Sequence, residues 1–306
     1  MDKSRALSCD VVRDVAESRI AAVVVTFNRL ALLKECVAAI KAQQRLPDEI
    51  IVVNNGSSDG TADWLASQVG LTVVTQPNSG SSGGQNTGIK TAYLNGHDWI
   101  WCMDDDTVPK TTALAALIKA KPFCDINTGF LCSVTLSANE TVDEVLPTVC
   151  SNEWWGTVLQ DHCVRVDHAS FVSVMVSRIA VKTVGLPLEW MFIWGEDTEF
   201  TKRISGRFKG WAVLDSLVVH KYVSRAKTDD PFDDPITRKR YMYLLRNELV
   251  RLRVDPTIKG RSGRVFAIAA TLYNTARWII RGKLPFRTIA WVAEGLFRRI
   301  RFEFPE

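Results

Sequence analysis

Three carboxylates stand in a row at Asp104, Asp105 and Asp106, directly after the apolar run WIWCM (residues 99–103). Adjacent like charges at the end of a buried segment are costly unless something compensates them. Two Asp separated by one residue can both turn toward one side of a strand end, and a hard divalent cation there can bridge carboxylates to a diphosphate. A solvated acidic turn, ahead of a helix capped by Thr111 or Thr112, is the alternative. A lone DxD does not separate the two.

A second acidic group follows in MFIWGEDTEFTKRI (residues 191–204). Trp194-Gly195 reads as a loop, after which Glu196, Asp197 and Glu199 open a helix containing Phe200 and Ile204. Carboxylates suit a helix N-terminus, so capping accounts for them as readily as general-base chemistry does. His220, at the end of WAVLDSLVVHKY (211–222), reads first as a structural strand-end histidine. In NSGSSGGQNTG (78–88), Gly80, Gly83, Gly84 and Gly88 are wrongly spaced for GxGxxG, the segment follows a third strand rather than a first, and a Walker lysine motif is missing. Its small residues either let a backbone approach a ligand closely or make a flexible turn.

The elements that must carry these groups follow from periodicity. AAVVVTF (21–27) and EIIVVNN (49–55) are continuous β-branched or apolar runs of the kind buried on both sheet faces. LTVVTQ (71–76) and DWIWCM (98–103) are predicted as the third and fourth strands. Between them lie a helix through Leu30, Leu33, Val37 and Ile40, a second entered through the turn Ser57–Thr61 and containing Trp64 and Leu65, and a third after the glycine-rich loop, to about residue 96. This alternation predicts a parallel, doubly wound sheet, whose ligands bind beyond the C-terminal strand ends. Thr26–Arg29, Asn54–Ser58, the glycine loop and Asp104–Asp106 all fall on that rim. The middle section is less regular, with strands predicted at 129–134 and 168–176, an EWWG turn at 153–156, and a strand–turn–strand over 211–222. Helices are predicted from Ile236 through Leu249, over 262–281 and over 285–301, after a linker at 229–234.

With 306 residues, 46% of them hydrophobic and 24% charged, the chain can build a large core, and bulk disorder is excluded. Its seven scattered cysteines form no CxxC pair, which suggests reduced thiols and a cytoplasmic location. The charged N-terminal segment has no signal-peptide core, and no apolar run is long enough to span a membrane. Residues 256–306 hold ten Lys/Arg against three Glu, a net of +7 in a chain whose total is +4. Mixed with Phe266, Ile268, Leu272, Trp278, Ile279, Trp291, Leu296 and Phe297, these charges suit amphipathic helices on an anionic membrane surface. Packing on the rest of the chain or on a second subunit, as in a homo-oligomer, is the alternative. No motif supports nucleic-acid binding.

Taken in order, TFNR, VNNGSSDGT, NSGSSGGQNTG, MDDDTVP, FIWGEDTEF and VVHKY resemble the family 2 glycosyltransferases of the GT-A fold over about residues 20–225. The glycine-rich loop and FIWGEDTEF are most similar to the bacterial galactofuranosyltransferase branch. Related rhamnosyltransferases more often carry an earlier Asp that this chain lacks. The resemblance implies an N-terminal extension (1–19), a GT-A catalytic domain (20–225) and a basic helical C-terminal region (226–306). It also implies an inverting, metal-dependent transfer, with Mn²⁺ or Mg²⁺, from UDP-galactofuranose to a glycan, lipid-linked at the inner face of the cell membrane. Thr26, Phe27, Asn28 and Arg29 would line the nucleotide pocket. Asn54 and Asn55 stand where an acidic residue often meets uracil, and an amide can both donate to and accept from that base. Gly83, Gly84, Asn86 and Asp105 would complete the donor site. Asp104 and Asp106 would seat ribose and metal–diphosphate, with His220 closing the metal shell. Asp197 would be the base and Glu196 its neighbour, with Trp190 and Trp194 against the acceptor. Phe192, Trp154 and Trp155 are further candidates for stacking on sugar faces. A rhamnosyltransferase using dTDP-rhamnose, another UDP-hexose transferase, and a non-catalytic nucleotide-sugar or glycan-binding protein are the competing readings.

Overall fold

The computed structural model describes residues 18–142, 147–150, 155–221, 230, 232–255, 258 and 260–306. The expected N-terminal extension up to residue 17, Trp154 and most of the 226–234 segment lie outside these, as does the side chain of Trp155.

The first half alternates as its periodicity predicts. β1 (Ile20–Thr26), α1 (Leu30–Lys41), β2 (Glu49–Asn54), α2 (Thr61–Ala66), β3 (Thr72–Thr75), α3 (Gly80–Leu94) and β4 (Trp99–Asp104) follow one another. Strands β3, β2, β1 and β4 lie side by side in parallel, with β1 central and buried on both faces. Apolar residues of β1 alternate between two cores. Ala22 and Val24 pack with Leu33, Val37 and Trp101 on one face, and Val23 and Val25 with Ile89 and Ala92 on the other.

The second half holds β5 (Thr107–Pro109), α4 (Ala113–Lys119), β6 (Thr128–Leu136), β7 (Thr148–Val149), α5 (Trp155–Asp161), β8 (Cys163–His168), β9 (Val174–Ser177), α6 (Arg178–Val184), α7 (Glu196–Ser205) and β10 (Lys209–His220). Here the ten-stranded sheet continues from β4 as β9, β6, β10, β8 and β7, with β5 on β10, and most of these pairings are antiparallel. The expectation of a mostly parallel sheet therefore holds for the first four strands and for the β6–β10 pair, and the sheet as a whole is mixed. The mixed α/β architecture with flanking helices and C-terminal helices is the GT-A arrangement that the resemblance implied.

Two sequence expectations differ in detail. The segment 211–222 is not strand–turn–strand. Lys209–His220 is one long strand whose register against β6 shifts between Val213 and Leu217, where Ser216 turns inward to bond Ala113 O and Ser133. The predicted strand over 168–176 is instead the end of β8 and the start of β9.

The larger correction concerns the glycine-rich loop, which is helical from Gly80 onward. A Cβ on Gly84 would sit 2.3 Å from Val25 Cγ1, and one on Gly88 would sit 2.2 Å from Val23 Cγ1. The glycines let α3 lie directly on β1, and that tertiary packing outweighs their poor helix propensity.

Three C-terminal helices close the fold: α8 (Pro235–Val254), α9 (Arg261–Ile280) and α10 (Thr288–Phe297). Asp234 caps α8 by accepting from Thr237 N at 2.9 Å, ahead of Pro235 at the first helical position. The last residues return to the sheet domain, where Leu186 N donates to Glu303 O at 2.8 Å and Lys90 pairs with Glu303 at 2.6 Å. Among the described residues, no helix is long and apolar enough to cross a membrane.

Candidate active site

Strand register builds the rim. Thr26 of β1 pairs with Asn54 of β2, and Val25 pairs with Asp104 of β4, so the C-terminal ends of three strands align. The chain then turns through Asp105 and Asp106, both buried. Thr26 Oγ1 donates to Asp105 Oδ2 at 2.8 Å. Arg29 Nη1 donates to Asp106 Oδ2 at 2.7 Å and to Asp105 Oδ1 at 3.2 Å. Burial still pushes the Asp105 carboxyl up to about 6, against the pull of Arg29 and Thr26. Asp104 is raised well above the carboxylate range, by burial first and then by the charges of Asp106, Asp105, Glu196 and Asp197. That last influence ties the triplet electrostatically to the second acidic group.

β10 brings His220 to the same place. It pairs with Thr107 in the antiparallel β5–β10 ladder, and its Nε2 lies 3.6 Å from Asp106 Oδ1. That carboxylate oxygen is buried and accepts no hydrogen bond. An unsatisfied carboxylate oxygen facing an imidazole nitrogen is a donor set that Mg²⁺ or Mn²⁺ accepts. Among the described residues, no three His, Cys, Asp or Glu side chains gather closely enough to hold a metal alone. Asp106 and His220 would supply two donors to such a cation.

Glu196 and Asp197 open α7 behind a tight turn. Phe192, Trp194 and Gly195 have φ of 68°, 65° and 91°. Asp197 Oδ1 accepts from Thr198 N at 2.6 Å and from Thr198 Oγ1 at 3.3 Å. These donors favour the charged form, although burial outweighs them and raises the group overall. Glu196 is buried more deeply, with Oε2 unsatisfied, and burial and the Asp197 charge push it up to about 8. Burial and the neighbouring carboxylate thus favour the protonated form of Glu196 at neutral pH.

The remaining expected residues divide by environment. Phe27 is exposed at the rim. Asn28 is a tether: its amide donates to Ser57 Oγ at 3.0 Å and its Oδ1 accepts from Ser58 N at 2.7 Å, joining the loops after β1 and β2. Asn54 Oδ1 accepts from Ser57 N, while its buried Nδ2 has no partner. Asn55 is committed internally, donating to Gly80 O at 2.9 Å and accepting from Gln76 Nε2 at 2.8 Å. Gly83 and Gly84 pack against Ser79 and Val25, and Asn86 donates to Pro187 O at 2.8 Å. These three hold α3 in place rather than open a path for a ligand's backbone contact. Trp190 packs against the C-terminal region, with Arg298 4.2 Å and Arg246 5.4 Å from its ring centroid. Trp194 is half-buried, and Tyr241 meets it edge-on at 5.4 Å.

Sequence reasoning missed Arg246 and Asn247 of α8. Asn247 Nδ2 donates to the carbonyls of Met191 (2.9 Å), Ile193 (3.1 Å) and Trp194 (2.8 Å), and Arg246 Nη2 donates to Trp190 O and Met191 O. The signal available was a buried-helix rhythm interrupted by adjacent Arg and Asn, which by itself reads as a solvated face.

Comparison with known proteins gives a consistent result. Residues 21–148 match the model of the glycosyl transferase family 2. Galactofuranosyltransferase GlfT1 of Mycolicibacterium smegmatis is 29% identical over 213 residues, covering 60% of this chain and 65% of that protein. The match thus spans just under two thirds of that relative's length. Among solved structures, S. aureus TarS in complex with UDP-GlcNAc superposes with a TM-score of 0.57 at 14% identity, covering 91% of this chain and 79% of that one. GalNAc-T7 with UDP, GalNAc and Mn²⁺ gives 0.54 at 14% identity, covering 86% and 57%. At such identities these two speak for the fold.

Proposed function

We propose that this chain, whose residues 21–148 match the glycosyl transferase family 2 model, transfers galactofuranose from UDP-galactofuranose to a glycan acceptor with inversion at the anomeric carbon. The observation that supports this reading is His220 facing Asp106 at the strand-end rim, with the charges of Glu196 and Asp197 acting on Asp104. A binder of nucleotide sugars has no use for two adjacent carboxylates of raised proton affinity at a helix start. The galactofuranose donor is supported by the relative named as a galactofuranosyltransferase. A nucleotide diphosphate with a divalent metal is supported by the ligands of the two solved neighbours.

In this reading Asp197 accepts the proton of the acceptor hydroxyl as that oxygen attacks the anomeric carbon, and the bond to the diphosphate breaks on the opposite face. One displacement inverts the centre, and no covalent nucleophile is needed. Glu196, neutral at pH 7, keeps the pair from carrying two adjacent negative charges. Asp106 and His220 would hold Mn²⁺ or Mg²⁺, which when bound neutralises charge on the leaving diphosphate. Thr26 and Arg29 keep Asp105 fixed below that seat, and Trp194 offers a ring to the acceptor.

The acceptor is assigned to a lipid-linked glycan, with the α9–α10 region as the peripheral contact to an anionic membrane. Exposed Phe266, Tyr273 and Ile280 recur every seven residues along α9, next to exposed Arg277 and Arg281. The deciding experiment measures UDP release from UDP-galactofuranose, dTDP-rhamnose and UDP-hexoses, with and without Mn²⁺. Galactofuranose-dependent, EDTA-sensitive release that is lost in Asp197→Ala supports the reading. Binding without turnover of any donor sinks it.

A further inference from the structure

We propose that Asn247 is a positioning residue for the Glu196–Asp197 pair, so that the C-terminal helix α8 completes the catalytic site. The inference rests on the functional reading above for its activity readout, but its geometry is independent of the donor. The turn leading into α7 holds two non-glycine residues at positive φ, Phe192 at 68° and Trp194 at 65°, followed by Gly195 at 91°. Such conformations persist only where the surroundings over-determine them. Here the surroundings come from two sides. From the sheet domain, Ser82 N donates to Phe192 O at 3.1 Å, and Gly80 lies so close that a Cβ on it would fall 2.1 Å from that oxygen. From α8, Asn247 is fully buried and spreads one amide nitrogen over the carbonyls of Met191, Ile193 and Trp194, 53–56 residues away in sequence. Tyr243 stacks on Phe192 at 4.9 Å. The three carbonyls bracket the strained turn, and the next residues are Glu196 and Asp197. A small change in this turn rotates the start of α7 and with it the direction of the Asp197 carboxylate. The C-terminal region is thereby coupled to the chemistry as well as to whatever surface it meets.

The test compares Asn247→Ala, Asn247→Asp and Leu249→Ala in the full chain. Leu249 is fully buried on the same helix and lines the contact with α10 at Gly295, so its truncation reports general loosening of α8. Expected for Asn247→Ala is a kcat reduced by about 10²-fold, with KM for the nucleotide sugar changed less than about threefold. Leu249→Ala should keep kcat within about threefold at a temperature where both variants are folded. Asn247→Asp has the same shape but turns a carboxylate toward three carbonyls, so it should fall below Asn247→Ala. Where it does not fold, Asn247→Ala carries the comparison. Amide exchange across residues 191–198 should accelerate in Asn247→Ala and not in Leu249→Ala. Equal kcat losses in the two alanine variants, or unchanged exchange in Asn247→Ala, overturn the proposal. A wild-type chain that turns over no nucleotide sugar sinks the functional reading instead, and the exchange measurement then decides this one.

Discussion

Arg29 closes on Asp106 at 2.7 Å through the same nitrogen that reaches Asp105 at 3.2 Å. The acidic triplet thus has a cation of its own, although the Arg29 side chain remains 39% exposed. An arginine with that freedom can pair with the triplet or swing toward an incoming diphosphate, for which its planar fork is well suited. Removing it should expose more negative charge at the metal seat while taking a phosphate partner away. Arg29→Met is therefore expected to tighten Mn²⁺ binding in the absence of nucleotide by about tenfold and to weaken UDP binding by a similar factor, a shift of about 1.4 kcal/mol each way. Calorimetry with Mn²⁺ alone and with UDP checks both signs. Weaker binding of both ligands would show that Arg29 organises the triplet rather than competing at it.

Asp197→Asn keeps the shape of the base and removes its proton affinity. A positioned general base contributes about 10²–10⁴-fold. The variant is expected to lose kcat in that range while UDP affinity changes less than about threefold. A parallel loss of UDP affinity would mean that Asp197 holds the donor.

Glu196 supplies a pH signature. Its carboxyl is pushed up to about 8 in the fold, against about 4.3 when unfolded. Between those values the folded chain binds more protons than the unfolded one, so this group's contribution to stability falls as pH rises through that window. Glu196→Gln abolishes the titration. Its Tm relative to wild type should rise from pH 5 to about pH 8 and level off above, by about 2–4 °C for each 1 kcal/mol recovered. The alkaline inflection of the kcat profile should disappear in the same variant, and the acid limb set by Asp197 should remain. A Tm difference flat across that pH range would place the Glu196 pKa near its ordinary value.

Two glycines separate packing from propensity. Gly88→Ala puts a methyl 2.2 Å from Val23 Cγ1, in a fully buried strand that cannot yield, and should cost about 1–3 kcal/mol. Gly263→Ala in α9 meets nothing within 4 Å and should gain about 0.5–1 kcal/mol from helix propensity. Urea titration of both checks the contrast, and a neutral Gly88→Ala would remove the packing account of α3.

These cases mark what was legible in the sequence. The runs at 21–27, 49–55, 71–76 and 98–103 read as strands because β-branched and apolar residues buried on both faces leave a continuous signal. Their polar ends could be assigned to one rim because parallel strands point the same way. The first turns of α3, over Gly80–Gly88, were illegible for the opposite reason. Glycine reads locally as loop, and only the nearness of Val23 and Val25 makes it helical. The grip of Asn247 on the 191–194 turn was hidden because it joins segments more than fifty residues apart, and no local pattern marks a polar residue as buried. Trp190 looked like a sugar platform from its type and position. Its neighbours Arg246 and Arg298 lie in α8 and just beyond α10, and only the packing of those helices reveals the contact.

The exposed stripe of α9 makes a last prediction. Phe266, Tyr273 and Ile280 are 76%, 68% and 84% exposed, and Arg277 and Arg281 are exposed near the helix C-terminus. Rings and a branched aliphatic at seven-residue spacing can enter the acyl boundary together, while the arginines meet lipid phosphates at about 1 kcal/mol each. The wild-type chain is expected to sediment with vesicles containing phosphatidylglycerol and to bind pure phosphatidylcholine at least tenfold more weakly. Raising the salt to 0.5 M should weaken the anionic binding, because screening shortens the reach of the arginines. The triple variant Phe266→Ser, Tyr273→Ser, Ile280→Ser should lose vesicle binding and keep its rate on a soluble acceptor, since none of these side chains approaches the rim residues through any hydrogen bond or ring contact described above. The same variant distinguishes the competing occupant. If wild type ignores vesicles but is dimeric in sedimentation equilibrium, and the triple variant is monomeric, then the stripe is the seam between two copies of the chain.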